Sequence, residues 1–337
     1  MSACSSGRLQ IQHGFARLRT ASLAFARLSY GLNRFQTNRL IPVWPLLWIT
    51  GDTPVTTLLK LSCPDCIGVL SRLSSFVAGH GGNLSEVNQF TDTSANWFFV
   101  RMAIQSETLR LPFNEFRKAF EPLAKQLNAT WTLRPEATRM KVVVMVSKLG
   151  HCLADLLWRW RSGELACDIV LVVSNHDELR ETAKRDGVDF RCIPVESHNH
   201  KEAFASMHDL FREIKPDLIV LARYMRILPE YICAEFSGRL INIHHSFLPS
   251  FVGANAYARA YERGVKLIGA TCHYATAELD AGPIIDQEVI RVEHFHTPED
   301  LVRLGRDCER LALARSVRWH LADRVLVHGN RPIVFRD

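Results

Sequence analysis

Met140-Lys141-Val142-Val143-Val144-Met145-Val146-Ser147-Lys148-Leu149-Gly150-His151-Cys152 decides the architecture of most of this chain. A nearly unbroken apolar run ends in a short polar turn. A half-exposed strand would alternate apolar and polar residues. A run this apolar fits a strand buried on both faces, as in a parallel sheet covered by helices. Further strand segments at Asp168–Val173, Phe190–Pro194 and Leu218–Leu221 alternate with helical segments at Cys152–Arg161, Asp177–Asp186 and Lys201–Ile214. This alternation predicts a doubly wound, mostly parallel α/β sheet, whose ligands bind beyond the carboxyl ends of the strands. The turn after the first strand is informative through what it lacks. It has no G-x-G-x-x-G and no Walker sequence, so a dinucleotide site is not expected. It also lacks the glycine-rich loop that would seat a phosphate on the helix N-terminus.

Upstream, Val55 to Pro135 reads β-α-β-β-α-β. Val55–Leu61 is β-rich, and Cys66–Gly79 carries apolar residues at helical spacing before Gly79-His80-Gly81-Gly82. Leu84–Phe90 and Trp97–Ile104 alternate like an antiparallel pair, Phe113–Leu127 is a second amphipathic helix, and Ala129–Leu133 closes the unit. The order is ferredoxin-like. The polar linker Arg134–Arg139 separates it from the α/β part, giving three regions: an extension at 1–52, an α+β domain at 53–135 and a larger domain at 140–337.

Cys63-Pro64-Asp65-Cys66 stands between a strand and a helix, where a thioredoxin-type redox pair would stand. The alternative is a plain strand-to-helix turn. Leu61-Ser62-Cys63-Pro64-Asp65 followed by Gly68, with Gly81-Gly82-Asn83-Leu84 after the helix, resembles the ACT regulatory domain. That resemblance accounts for the whole unit, whereas the redox reading accounts for four residues. It implies an amino-acid effector held by Asp65, Gly68 and Asn83, and a domain that pairs in a homo-oligomer. The chain carries Cys66 where the ACT pattern usually has a basic residue.

Composition narrows the function classes. The chain has 41 basic and 35 acidic residues, but six arginines precede the first acid, Asp52. Beyond them the charges balance, so the basic excess gives no argument for nucleic-acid binding. The first fifty residues are rich in Arg, Ser, Ala and Leu, the composition of a mitochondrial transit peptide. A disordered tail or a misplaced start has the same composition. The expected location is the cytoplasm, or the mitochondrion if this stretch is a transit peptide. The run Leu40–Thr50 is apolar but short and contains two prolines, so no membrane span is expected. Nine cysteines without regular spacing point to reduced thiols.

The chemistry gathers downstream. Asn242-Ile243-His244-His245-Ser246-Phe247-Leu248-Pro249 follows the apolar Gly238–Ile241 and reads as a strand entering a loop. Asn242 and His244, two apart on an extended chain, point to one side. Such a pair is often a buried structural contact. Asp280, just before Ala281-Gly282-Pro283 and between two apolar strands, sits on a turn. Together they supply an amide donor, an acid/base and a carboxylate, the parts needed to attack a carbonyl without a metal. Ligation of a metal by His244, His245 and Asp280 is the weaker alternative, since no H-E-x-x-H accompanies them.

The pattern Asn242-Ile243-His244-x-Ser246-x-Leu248-Pro249-Ser250-Phe251, then Gly269-Ala270-Thr271-x-His273, then Leu279-Asp280-x-Gly282-Pro283-Ile284-Ile285-x-Gln287 resembles the formyltransferase family that uses 10-formyltetrahydrofolate. The resemblance implies Asn242, His244 and Asp280 as the catalytic set. Leu221-Ala222-Arg223-Tyr224-Met225-Arg226-Ile227-Leu228 resembles the folate-binding segment, implying substrate contacts from Arg223, Tyr224, Met225 and Ile227, with His273 and Gly282 beside the reacting groups. His273 has a second reading as a packed strand histidine.

Within the family, an ACT-like domain before this catalytic domain, with Ser147-Lys148-x-x-His151-Cys152-Leu153 after the first strand, resembles the deformylases. The implied reaction is hydrolysis of 10-formyltetrahydrofolate, supplying formate for purine synthesis and balancing folate pools. No cofactor or metal is expected, and water takes the place of an amine acceptor. The other readings are a formyltransferase to an amine and a silent folate- or amino-acid-binding regulator. Val252 and Ala256 depart from the deformylase pattern of Lys and Pro. The segment Thr297–His320 is amphipathic and is expected to pack on the sheet or on a neighbouring subunit.

Overall fold

A computed structural model describes residues 56–250 and 255–336. The expectations for the extension at 1–52 and for Val252 lie outside the described residues. The first part consists of β1 (Thr56–Pro64), α1 (Val69–Gly79), β2 (Asn83–Asp92), β3 (Trp97–Gln105), α2 (Phe113–Gln126) and β4 (Thr130–Pro135). Its strands form an antiparallel sheet in the order β2-β3-β1-β4. Period-2 alternation puts Leu59, Leu61, Val100, Met102 and Leu133 on one face. There they pack against Val69, Leu73 and Val77 of α1 and Phe116 and Phe120 of α2. The expected β-α-β-β-α-β unit is present, with two boundary corrections. β1 runs on to Pro64 because Ser62 and Cys63 keep their pairing with Phe99 and Phe98. α1 starts at Val69 rather than Cys66 because Gly68 stands at φ 84, outside helical space.

The second part is β5 (Met140–Val146), α3 (His151–Arg161), β6 (Cys167–Ser174), α4 (Arg180–Arg185), β7 (Phe190–Cys192), α5 (His200–Ile214), β8 (Leu218–Leu221), α6 (Glu230–Glu235), β9 (Leu240–His244), α7 (Ala256–Arg263), β10 (Leu267–Tyr274), β11 (Ile284–Arg291), α8 (Pro298–Leu321), β12 (Val325–His328) and β13 (Arg331–Val334). Its seven-stranded sheet runs β11-β10-β9-β8-β5-β6-β7. The five strands from β9 to β7 are parallel, and β10 and β11 are antiparallel additions. Val142, Val144 and Val146 face one apolar layer, which includes residues of α3 and α8. Val143 and Met145 face the other, built with α5 and α6. This two-sided burial is why β5 is so uniformly apolar.

The chain leaves β5 outward to β6 and β7, then returns to β8 on the other side. The switch point between β5 and β8 opens a crevice at the carboxyl edge. Ser147, the first residue after β5, ties that edge together. Its hydroxyl donates to Asn175 Oδ1 at 2.6 Å and accepts from the Met225 amide at 3.0 Å.

α8 lies against β10 and β11, so the C-terminal amphipathic segment packs on the sheet. It opens with a capping box between Thr297 and Asp300. The face of the first sheet that carries Lys60, Arg101 and Arg134 meets the end of α8. Lys60 and Arg134 pair with Asp323, and Arg101 Nε donates to the Ala322 carbonyl at 3.0 Å. The hairpin β12–β13 was not anticipated. Its turn at His328-Gly329-Asn330 carries the strand-turn-strand signal, and His328 stacks on Trp97 at 4.3 Å between ring centroids.

Candidate active site

β9 carries Asn242 and His244 on one face, as their spacing requires. The expected loop here is instead a paired strand, because Asn242, Ile243 and His244 lie opposite His273, Cys272 and Thr271 of β10. The register sets His273 across from Asn242 on the same face. Asn242 Nδ2 lies 3.1 Å from His273 Nε2. His273 Nδ1 lies 2.9 Å from the Tyr274 carbonyl oxygen, to which it must donate. The neutral ring then accepts from Asn242 through Nε2, which fixes the amide's orientation. A bulge between Cys272 and His273 in the pairing with β11 helps to aim the ring.

Asp280 comes from the β10–β11 connection, at φ 57. Its Oδ1 is 3.2 Å from His244 Nδ1 and 3.8 Å from His273 Nε2. Burial works against the charged carboxylate, but the hydrogen bond from His244 outweighs it and holds the acid well below the usual carboxylate range. Asp280 therefore stays ionised near neutral pH. With His244 Nδ1 committed to Asp280, the other ring nitrogen is free to act. His244 Nε2 is buried and makes no hydrogen bond.

These groups line a cavity of about 250 Å³ whose opposite wall is the segment after β8. Tyr224 is buried, with an unpartnered hydroxyl. Met225, Ile227 and Leu279 are about half exposed at 51%, 61% and 54% and give the mouth an apolar rim. A cavity slightly below the usual 300–1,000 Å³ suits the reacting end of a ligand whose remainder extends past such a rim.

The loop following β9 is held by Thr271. Its hydroxyl donates to the Ser246 carbonyl at 2.8 Å and accepts from the Leu248 amide at 3.0 Å. Gln287 bonds both Thr271 and the Leu248 carbonyl. The Thr and Gln of the sequence pattern thus shape the site without lining it.

A family profile described as formyl transferase matches residues 140–317. A formyltetrahydrofolate deformylase from Synechocystis sp. is 47% identical over 83% of this chain and 99% of its own length. The crystal structure of a formyltetrahydrofolate deformylase from Pseudomonas syringae pv. tomato aligns with TM-score 0.83 at 47% identity. It covers 86% of this chain and 97% of its own. The chain belongs to the formyltetrahydrofolate deformylase family. A glycinamide ribonucleotide transformylase from Symbiobacterium toebii aligns at TM-score 0.56 and 29% identity, over 60% of this chain. The deformylases thus match a longer stretch of it than that transferase does.

Set against the deformylase pattern, Asn242, His244, Asp280 and His273 come together as expected, and Tyr224, Met225 and Ile227 line the same cavity. Arg223 lines it as well, and one expected contact falls differently. Gly282 does not line the cavity. It is buried against the Tyr274 carbonyl, where a side chain would not fit. Arg223, at φ 65, reaches toward α8, with Nε 3.4 Å from Glu309 Oε2.

The proposed effector residues are not brought together. Asp65 follows the Pro64 end of β1 and bonds Asn96, whereas Asn83 pairs with Gln105 at the Thr56 end. Eight residues of strand separate the two ends, roughly 27 Å. Gly68 remains near Asp65. Neither Cys63 nor Cys66 is bonded, and burial pushes the Cys63 thiol up to about 11, which leaves little for the redox reading.

Sequence reasoning missed Glu309. It is buried on α8, accepts from Tyr257 Oη at 2.9 Å and bonds His151 Nε2 at 2.8 Å. Hydrogen bonding to His151 and the Arg223 charge outweigh its burial and keep it ionised. Its signal was faint: an acid on the buried phase of α8, four residues after Gly305, whose missing side chain admits the Tyr257 ring. His151, Cys152 and Glu309 form the described cluster with metal-ligand atoms within 4.8 Å of one another. The Glu309 oxygens are already engaged, and burial holds the Cys152 thiol well above its usual range. His245, the third member of the metal alternative, stands against Tyr257 at 6.0 Å between ring centroids.

Proposed function

We propose that this chain hydrolyses 10-formyltetrahydrofolate to tetrahydrofolate and formate, with Asn242, His244 and Asp280 as the reacting set. The observation that carries the assignment of roles is the buried, unbonded His244 Nε2 on the cavity face, with Asp280 fixed behind it on Nδ1. This arrangement leaves the imidazole one free nitrogen and holds it in the tautomer that can take a proton there. A water attacking the formyl carbon gives that proton to His244 Nε2, and Asp280 stabilises the resulting imidazolium. Asn242, anchored through His273, donates to the oxyanion of the tetrahedral intermediate. When the C–N10 bond breaks, His244 returns its proton to N10. The formic acid formed loses its remaining acidic proton to become formate. Asp280 is too weak a base to act alone, so proton handling belongs to the histidine.

The apolar rim of Met225, Ile227 and Leu279 fits the flat ring system of a folate. Water is the acceptor because the turn after β5 has no glycine-rich cradle for a phosphorylated amine. The test is formate release from 10-formyltetrahydrofolate by purified enzyme with no acceptor added. Stoichiometric formate and tetrahydrofolate support hydrolysis. Turnover that requires an added amine makes the chain a transferase.

A further inference from the structure

A second cavity of about 280 Å³ lies beyond the first and shares Arg223, Met225 and His245 with it. Its charge is uneven. Two guanidinium groups, Arg223 and Arg306, line it against one carboxylate, Glu309. The Arg223 side chain is nine-tenths buried, yet Nε and Nη1 make no hydrogen bond. Glu309 does not satisfy them, since its two oxygens are taken by His151 and Tyr257 and the 3.4 Å approach to Arg223 Nε is long for a charge-assisted bond. A buried guanidinium with idle donors is an expensive feature to keep unless an anion completes it. Each idle donor can give a charge-assisted hydrogen bond to an oxygen of a small anion.

We propose that this second cavity is the exit site for formate, held between Arg223 and Arg306. The inference rests on the hydrolase reading given above. Formate is made at His244, deep in the first cavity, while the rim of Met225, Ile227 and Leu279 is covered by the folate. The route past Arg223 lets the anion leave without waiting for tetrahydrofolate. His245 forms part of the shared wall. Burial, with the nearby Arg223 and His244, pushes it down to about 4, so it stays neutral and adds no competing charge. Formate and folate then occupy different cavities and bind together.

This arrangement fixes the inhibition pattern. Sodium formate added to the wild-type enzyme is expected to inhibit noncompetitively against 10-formyltetrahydrofolate. Arg306→Met, a change at an exposed position, is expected to raise the formate inhibition constant about fivefold, as for a partly solvated ion pair. Competitive inhibition would place formate in the formyl position of the first cavity and overturn the proposal. So would an inhibition constant unchanged in Arg306→Met, or an absence of formate inhibition. Inorganic phosphate serves as a second probe. If it protects or inhibits at lower concentration than formate, the cavity is a site for a larger oxyanion and the exit role is wrong. Absence of formate release in the acceptor-free assay would instead refute the hydrolase reading itself.

Discussion

Gly282→Ala tests how the Asp280 turn is placed. An added Cβ at residue 282 would sit 1.8 Å from the Tyr274 carbonyl oxygen and 3.0 Å from its carbon. That carbonyl cannot easily yield, because it accepts His273 Nδ1 at 2.9 Å, while the Tyr274 amide donates to Pro283 at 2.9 Å. The turn must therefore retreat by more than about 1 Å. Asp280, two residues earlier, would lose its 3.2 Å contact with His244. A misplacement of about 1 Å at a reacting group costs on the order of 10²-fold in rate. The overpacking itself should cost about 1–3 kcal/mol of stability, leaving the protein folded at room temperature. The assay is acceptor-free formate release, with folate KM and thermal unfolding measured in parallel. Gly79→Ala is the control, since nothing lies within 4 Å of its added carbon. A folded Gly282→Ala enzyme with more than about a third of wild-type kcat would refute the claim that the Tyr274 carbonyl positions Asp280.

Asn242→Ala should lower kcat by roughly 10²–10³ with folate binding retained, and Asp280→Ala should do the same, because each removes support for the transition state; near-normal turnover in either would undo the assignment. Glu309→Gln removes the nearest charge opposite Arg223, and chemical denaturation should show a loss of about 3–5 kcal/mol; a change under about 1 kcal/mol would mean that the Glu309 charge does little to offset Arg223. Acid should destabilise the protein before its carboxylates titrate. Burial first, then Arg223 and His244, pushes His245 down to about 4, and burial first, then Lys60, pushes His320 down to about 3. Both folded values lie below the unfolded 6.5, so the unfolded chain binds protons first. This stability is present above about pH 6.5 and declines by about 1.4 kcal/mol per unit per histidine as pH falls toward the folded values. A melting temperature flat from pH 7 to 4.5 would contradict it, and His320→Gln should remove about half the slope.

The parts that sequence exposes well are those set by local periodicity. The uniform apolar character of β5 and the two-residue spacing of Asn242 and His244 follow from strand geometry, and Gly-Pro after Asp280 marks its turn. What sequence hides is register. Nothing in Gly269-Ala270-Thr271-Cys272-His273 says that His273 will face Asn242 rather than Ile243. That depends on antiparallel pairing fixed by Thr271 and Gln287. The same blindness worked in reverse for Asp65 and Asn83, whose common motif suggested one site although they stand at opposite ends of a sheet. Glu309 was hidden among the many charges of α8, where burial depends on tertiary contact with Tyr257. The hairpin β12–β13 is legible in its Gly-Asn turn, although its two strands are only four residues each.

The contact between Arg101 and the Ala322 carbonyl spans 221 residues of chain. During synthesis the first domain would leave the ribosome long before its partner carbonyl exists. At 5–20 residues per second the wait is roughly 10 to 40 s. Through that interval the sheet face bearing Lys60, Arg101 and Arg134 stays uncovered, with Glu86 pairing Arg101 and the other two cations awaiting the end of α8. Docking of the two domains therefore waits until the end of α8 has been made. A nascent chain stalled before Ala322 would present this surface to chaperones or to other polyanions in the cell.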